Sequence, residues 1–213
     1  DAHFMLARTL NGAAARHEYM KARDYDQLRF RASSDLNNIL RSSSMDSSAI
    51  FVDIEQIFLD NSPDSLCGKT LIVEHLHPNS QGYFLMGKAY ADAMRRHGLL
   101  APVSEWILRD TIPDESFWDQ RCLTEIDEMM AKRRTEILTA GWPFKDQTPV
   151  VDRMSDRDTL GQLVEKVIRA RMDWQQAHQL AAEYYAARDD RRKLEHEYRL
   201  LIDQIPYEVK PYL

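Results

Sequence analysis

Apolar residues recur at helical spacing along most of the chain. From Ala2 to Ala22, Leu6, Leu10, Ala13, Ala14 and His17 keep one stripe, which predicts a helix weakened at Gly12. Ser33-Ser34-Asp35 offers N-cap chemistry for a short helix with Leu36, Ile39 and Leu40 on one side. Ser80–His97 is helical, with Gly82, Met86, Ala89, Tyr90 and Ala93 on one face and Gly98 as its stop. The one strand-like run is Ala49–Ile54, short, continuously apolar and bounded by turn residues. Such a run suits a parallel sheet covered on both faces. Lys69–Val73, the next candidate, reads as loop or a short extended segment.

Beyond Leu99–Asp119, which holds Pro102 and Pro113 around a short helical run at Val103–Arg109, every patterned stretch is helical. Thr124 and Asp127 form a capping-box pattern for a helix over Glu125–Thr139. Gly141-Trp142-Pro143-Phe144 breaks the chain, and Lys145–Ser155 reads as loop. Asp158–Arg171 follows as a helix with Leu160, Leu163, Val164 and Val167 inward. The expected organisation is an α/β portion over 1–100, a linker over 101–123 and an all-α region over 124–213, helix-dominated overall.

The bulk numbers narrow the function classes. The chain has 213 residues, 44% hydrophobic and 29% charged, which suits a helix-rich globule. Net charge is −6, and the basic runs Lys132–Arg134 and Arg191–Lys193 are short and flanked by acids. They read as solvated helix faces, and no nucleic-acid footprint is expected. Cys67 and Cys122 make neither a metal quartet nor a disulfide frame, and nothing in their spacing favours a bridge. No apolar run is long enough to span a bilayer. The sequence opens at Asp1 without Met and ends at Leu213 where a new helical pattern begins, so it is expected to be an internal piece of a longer protein. The absence of a signal peptide therefore sets no compartment.

Chemistry is concentrated in Val73–Gly82, VEHLHPNSQG. If this segment is a regular strand, His75 and His77 share one side and Glu74 takes the other, an arrangement favouring two imidazole ligands. Zinc sites need three or four ligands, and no further Cys or His is paired with these two. If the chain curves, as Pro78 favours, Glu74 can reach His77 and hold its ring while the other nitrogen takes a proton from a nucleophile. The bland reading is a His77 that bonds the loop and caps the next helix. His75 lacks an acid at the same spacing and reads as a packing or solvent-facing His. Asp53 has two readings: a residue at a strand's carboxyl end, where α/β sites gather, or the cap of a short helix over Glu55–Leu59. Trp106, Trp118, Trp142, Trp174, Tyr184 and Tyr185 read as core and helix-packing residues rather than a ligand stack.

Glu74-x-x-His77-Pro78-Asn79, followed by Gly82 and an amphipathic helix, resembles the last signature block of the SGNH (GDSL-type) hydrolases. That block usually reads Asp-x-x-His-Pro; here Glu stands in for Asp. Lys21–Asn37 and Ala49–Glu55 also look like the subgroup of that family with a tetratricopeptide tail, and the resemblance runs from about Met20 to Gly98. It implies the C-terminal portion of a flavodoxin-like hydrolase fold, with His77 as general base and Glu74 orienting it. It further implies an acyl or acetyl ester substrate, such as an acylated carbohydrate, and no cofactor; it leaves the compartment open, with the bacterial envelope or periplasm compatible with the resemblance. The family's Gly-Asp-Ser, Gly and Gly-x-Asn blocks are absent. Ser33, Ser34, Ser42–Ser44, Ser47 and Ser48 sit in turn-like or capping contexts, not after a strand as a nucleophile should. The nucleophile is expected outside these residues, and the stretch alone is expected to be inactive.

The last part resembles one tetratricopeptide repeat over about Gln175–Glu208, turning near Arg188–Arg191. His178, Ala181, Ala182, Tyr185, Leu194, Tyr198, Leu201 and Pro206 fall near its spacings, with His178 and Leu194 departing from the usual Trp and Ala. Tyr212 falls where a next repeat would put its first large side chain. The resemblance implies a protein partner bound through these helices. It leaves a second reading open, a scaffold whose hydrolase-like part is inactive.

Overall fold

The computed structural model describes residues 2–28, 30–45, 48–141, 144 and 159–207. The expected loop over 145–155, Trp142, Pro143, Ser47 and Tyr212 lie outside them. Helices dominate: among the described residues there are eleven α-helices, one 3-10 turn and a single isolated β-bridge, Ile72 to Pro78. The chain forms two compact units that divide between Pro113 and Asp114.

The first unit contains α1 (Ala2–Ala7), α2 (Gly12–Asp24), α3 (Ser34–Met45), α4 (Ile54–Asp60), α5 (Ser80–Arg96) and α6 (Val103–Arg109). The single helix expected over Ala2–Ala22 is broken. Gly12 adopts φ +56, a left-handed conformation that costs glycine little, and α1 folds against α2. Ala7 and Ala15 are buried at this contact, while Leu6, Ala13 and Ala14, expected inward, are exposed. His3 Nδ1 lies 2.6 Å from Glu18 Oε2, and the Phe4 and Tyr19 rings meet edge-on at 5.7 Å.

The expected strand Ala49–Ile54 does not form. Residues 49–53 are irregular, and Ile54 is already the first residue of α4. A short apolar run satisfies a strand and a helix entrance equally, and here the cap decides. Asp53 accepts a hydrogen bond from the Gln56 N–H at 3.1 Å, so the capping reading of Asp53 holds.

Ion pairs rather than a large apolar core join α2, α3 and α4. Glu55 receives Arg23 of α2, and Asn37 and Arg41 of α3, each of the latter two at 2.9 Å. Arg41 also grips Asp53 through Nε at 2.8 Å, and Arg23 reaches Ser34 Oγ at 2.7 Å. No α3 side chain is buried, and Leu36, Ile39 and Leu40 are exposed. The side of α5 bearing Gly82, Ala89 and Ala93 is buried, and α4 packs against this helix. Trp106 donates to the Leu99 carbonyl at 3.0 Å, a local packing role.

The second unit contains α7 (Asp114–Asp119), α8 (Glu125–Leu138), α9 (Thr159–Ile168), α10 (Trp174–Ala186) and α11 (Arg191–Gln204). Its core is contiguous: Ile126 and Met130 from α8, Leu160, Leu163 and Val164 from α9, and Ala177, Ala181 and Tyr185 from α10. Asp127 accepts from the Thr124 N–H at 3.1 Å to start α8. A turn over 187–190, with Asp189 at φ 54, joins α10 to α11, and the two helices pack along each other. Ala181, Ala182, Tyr185 and Leu201 are buried there as expected. Tyr198 is only half-buried; Glu197 and Leu200 take the inward positions beside Leu201. Arg133 also departs from its expected solvated face, being 6% exposed with its Nε 3.3 Å from Glu165.

Candidate functional site

The loop before α5 is a tight, self-bonded turn. Val73 N–H donates to the His77 carbonyl and Asn79 N–H to the Leu71 carbonyl, both at 2.8 Å. Asn79 then caps α5: its Oδ1 accepts from Gly82 N–H at 3.0 Å, and its Nδ2 donates to the Thr70 carbonyl at 2.9 Å. Gly82 makes this corner geometrically feasible. A Cβ there would stand 2.4 Å from the Leu71 carbonyl oxygen and 2.9 Å from the Pro78 Cβ.

The curve brings Glu74 and His77 together. Glu74 has a side chain only 3% exposed, and its carboxylate bonds Nδ1 of His77, whose own side chain is 64% exposed. The same carboxylate accepts from the backbone N–H groups of His75, Leu76 and His77. Burial alone would raise the Glu74 pKa. The His77 ring and these backbone donors outweigh it and hold the group at about 2. Glu74 is therefore a fixed anion over the ordinary pH range. It favours the His77 tautomer with hydrogen on Nδ1, which leaves the Nε2 lone pair able to accept a proton.

His75 lies beside the same acid. The strand geometry that would separate it from Glu74 is not adopted, and its Nδ1 lies 2.6 Å from Glu74 Oε2. Its ring meets Phe30 edge-on at 4.6 Å. Two imidazoles thus turn the same nitrogen toward one carboxylate, an arrangement suited to sharing an anion. Among the described residues, no group of three or more His, Cys, Asp or Glu side chains is disposed to hold a metal ion. Cys67 is half-buried, and burial, the largest influence on it, raises its thiol pKa. Cys122 is exposed, and burial followed by the neighbouring Asp203 carboxylate raises its pKa.

A second polar constellation lies in the second unit, and sequence reasoning missed it. His178 is fully buried, with Nδ1 2.6 Å from Glu197 Oε2 and Nε2 3.2 Å from Asp127 Oδ1. Trp174 lies over the imidazole with ring centroids 4.1 Å apart and donates its Nε1–H to Asp127 at 3.0 Å. Beside it, Tyr185 donates to Glu125 at 2.8 Å, and Lys193 pairs with the same carboxylate at 2.7 Å. Burial and then the Glu125 carboxylate push the Tyr185 phenol well above its ordinary pKa. The only sequence signal was that His178 replaces a large apolar residue in the repeat-like pattern; its acids come from distant helices.

No described helix is long and apolar enough to cross a membrane. No protein-family model, curated protein or solved structure matches this chain.

Proposed function

We propose that Glu74 and His77 are the acid and base of a serine-type ester hydrolase of the SGNH kind, with the Ser nucleophile supplied from outside these residues. The supporting observation is the buried Glu74 carboxylate on Nδ1 of an exposed imidazole. It leaves Nε2 to take the Ser proton and to return it to the leaving alcohol, while Glu74 stabilises the imidazolium formed between. The substrate class, an acyl or acetyl ester such as an acylated carbohydrate, follows from the motif resemblance. In this reading the α10–α11 hairpin, with its small Ala residues at the contact, serves as a tetratricopeptide-like surface for a protein partner.

Acetyl-ester hydrolysis by the full-length protein tests the reading, with thermal melts as the folding control. His77→Ala should lower kcat on the order of 10³-fold or more, and Glu74→Gln by less, since it retains one acceptor. His75→Ala should retain most of the rate, because His77 keeps its acid. A His77→Ala variant as active as wild type would place the site elsewhere. A full-length protein with no esterase activity would favour the second reading, a non-catalytic scaffold.

A further inference from the structure

We infer that His178 is held as a doubly protonated imidazolium, a buried proton latch that fastens α8 and α11 to α10. Two carboxylates stand within ion-pair distance of one buried ring. Each ring nitrogen lies near a different carboxylate: Nδ1 is hydrogen-bonded to Glu197 of α11 at 2.6 Å, and Nε2 stands 3.2 Å from Asp127 of α8 without the alignment of a hydrogen bond. A neutral imidazole has one N–H and one lone pair, so either tautomer turns a lone pair toward an anionic oxygen. Only the imidazolium places a positive charge beside both.

Solvent cannot relieve the conflict. The side chains of His178 and Glu197 are 0% and 1% exposed, and that of Asp127 is 14% exposed. Nor do neighbouring cations replace the missing charge. From α8, Asp127 is fixed by Trp174 and the Thr124 N–H, while Glu125 is taken by Lys193 and the Tyr185 hydroxyl. From α11, His196 turns its Nε2 to the Arg121 carbonyl. From α9, Glu165 is taken by Arg133 and Arg169. Thr124 Oγ1 also stands 3.5 Å from Nδ1. Losing the proton therefore leaves two buried carboxylates without their shared cation, a costly state.

The sign of the pH dependence follows. Burial, the largest single influence, would lower the His178 pKa from its ordinary 6.5, but Asp127 and Glu197 together outweigh it and raise the pKa. The latch is thus fully present below about 6.5 and is lost as pH rises through the raised folded value. Asp127 sets the opposite edge: burial works against it, but His178 and Trp174 lower its pKa, so its share is lost on acidification.

The test uses the full 213-residue chain, labelled with ¹⁵N-histidine and followed by long-range ¹H–¹⁵N correlation, with circular-dichroism melts at pH 6 and 9. The His178→Leu/Glu197→Leu double variant removes the hydrogen-bonded pair together, leaves Asp127 to Trp174 and the Thr124 N–H, assigns the His178 signal by its loss, and serves as the pH control. Glu197→Gln is the second variant should the first not fold, since a Gln amide can satisfy a neutral ring. We expect both His178 nitrogens to be protonated at pH 7. We also expect the wild-type Tm to fall by roughly 3 °C or more from pH 6 to 9, with a smaller fall in either variant. A neutral-ring signature at pH 7, as when Glu197 holds the proton, would overturn the inference. An equal fall in wild type and variants would do the same.

Discussion

Gly82 approaches Leu71 so closely that a Cβ on the glycine would sit 2.4 Å from the leucine carbonyl oxygen. The contact locks the start of α5 onto the loop that carries Glu74 and His77. Gly82→Ala should therefore destabilise the protein by about 1–3 kcal/mol, despite the roughly 1 kcal/mol that alanine gains over glycine in a helix. A Cβ added to Gly87, in the same helix, would meet nothing within 4 Å. Gly87→Ala should stabilise by about 0.5–1 kcal/mol. Urea melts of the two variants give opposite signs if the corner is packed as described, and equal signs would show that it is not.

Acidification should open the same loop late. The Glu74 pKa lies at about 2, against an ordinary value of 4.5. A depressed carboxylate adds stability that is present above its unfolded pKa and lost as pH falls through the folded one. The Glu74 share should thus fade between about pH 4.5 and 2. Carboxyl ¹³C titration should show Glu74 titrating later on acidification than the exposed glutamates. In Glu74→Ala, the amide protons of His75, Leu76 and His77 should exchange with solvent markedly faster, because all three lose their acceptor.

The α2–α3–α4 junction supplies a second acid-sensitive element. Burial would raise the Glu55 pKa, but Arg23 and Arg41 overcome it and the pKa is lowered. Asp53 is lowered chiefly by Arg41. Glu55→Gln should cost about 1–2 kcal/mol at neutral pH, because one acceptor serves three donors. The difference from wild type should shrink as pH falls below the ordinary carboxylate value of 4.5 and on through the lowered folded one. A difference that persists unchanged throughout acidification would mean that shape, not charge, holds the junction.

The sequence made some of this legible. Period and caps located α5, α6, α8 and the α10–α11 hairpin, because their stop and start signals are local: Asn79 ahead of α5, Thr124 with Asp127, and the turn before Arg191. Glu74 and His77 stood out because their spacing is short enough for a single loop to join them. Ala49–Ile54 misled because an apolar run carries no phase, and one Asp53 hydrogen bond tips it toward a helix entrance. The closeness of His75 to Glu74 was not legible because it depends on loop curvature. The His178 cluster was invisible because Asp127 and Glu197 each look like ordinary polar helix positions until α8 and α11 are packed on α10.

The α10–α11 hairpin gives the last prediction, which separates burial from apparent pattern. Leu201 is fully buried, whereas Tyr198, which the repeat-like spacing had placed inward, is half-buried. Leu201→Ala removes methylenes from a closed site and leaves a cavity, so it should cost about 2–5 kcal/mol. Tyr198→Ala removes a larger side chain but loses only the covered part of its area, so it should cost less, about 1–2 kcal/mol. The order opposes the one expected from side-chain size alone. Denaturant melts of both variants decide between them, with an unchanged m value showing that the native state is otherwise intact. If Tyr198→Ala is the more damaging substitution, α11 is rotated about its axis from the position described, and Glu197 no longer faces His178.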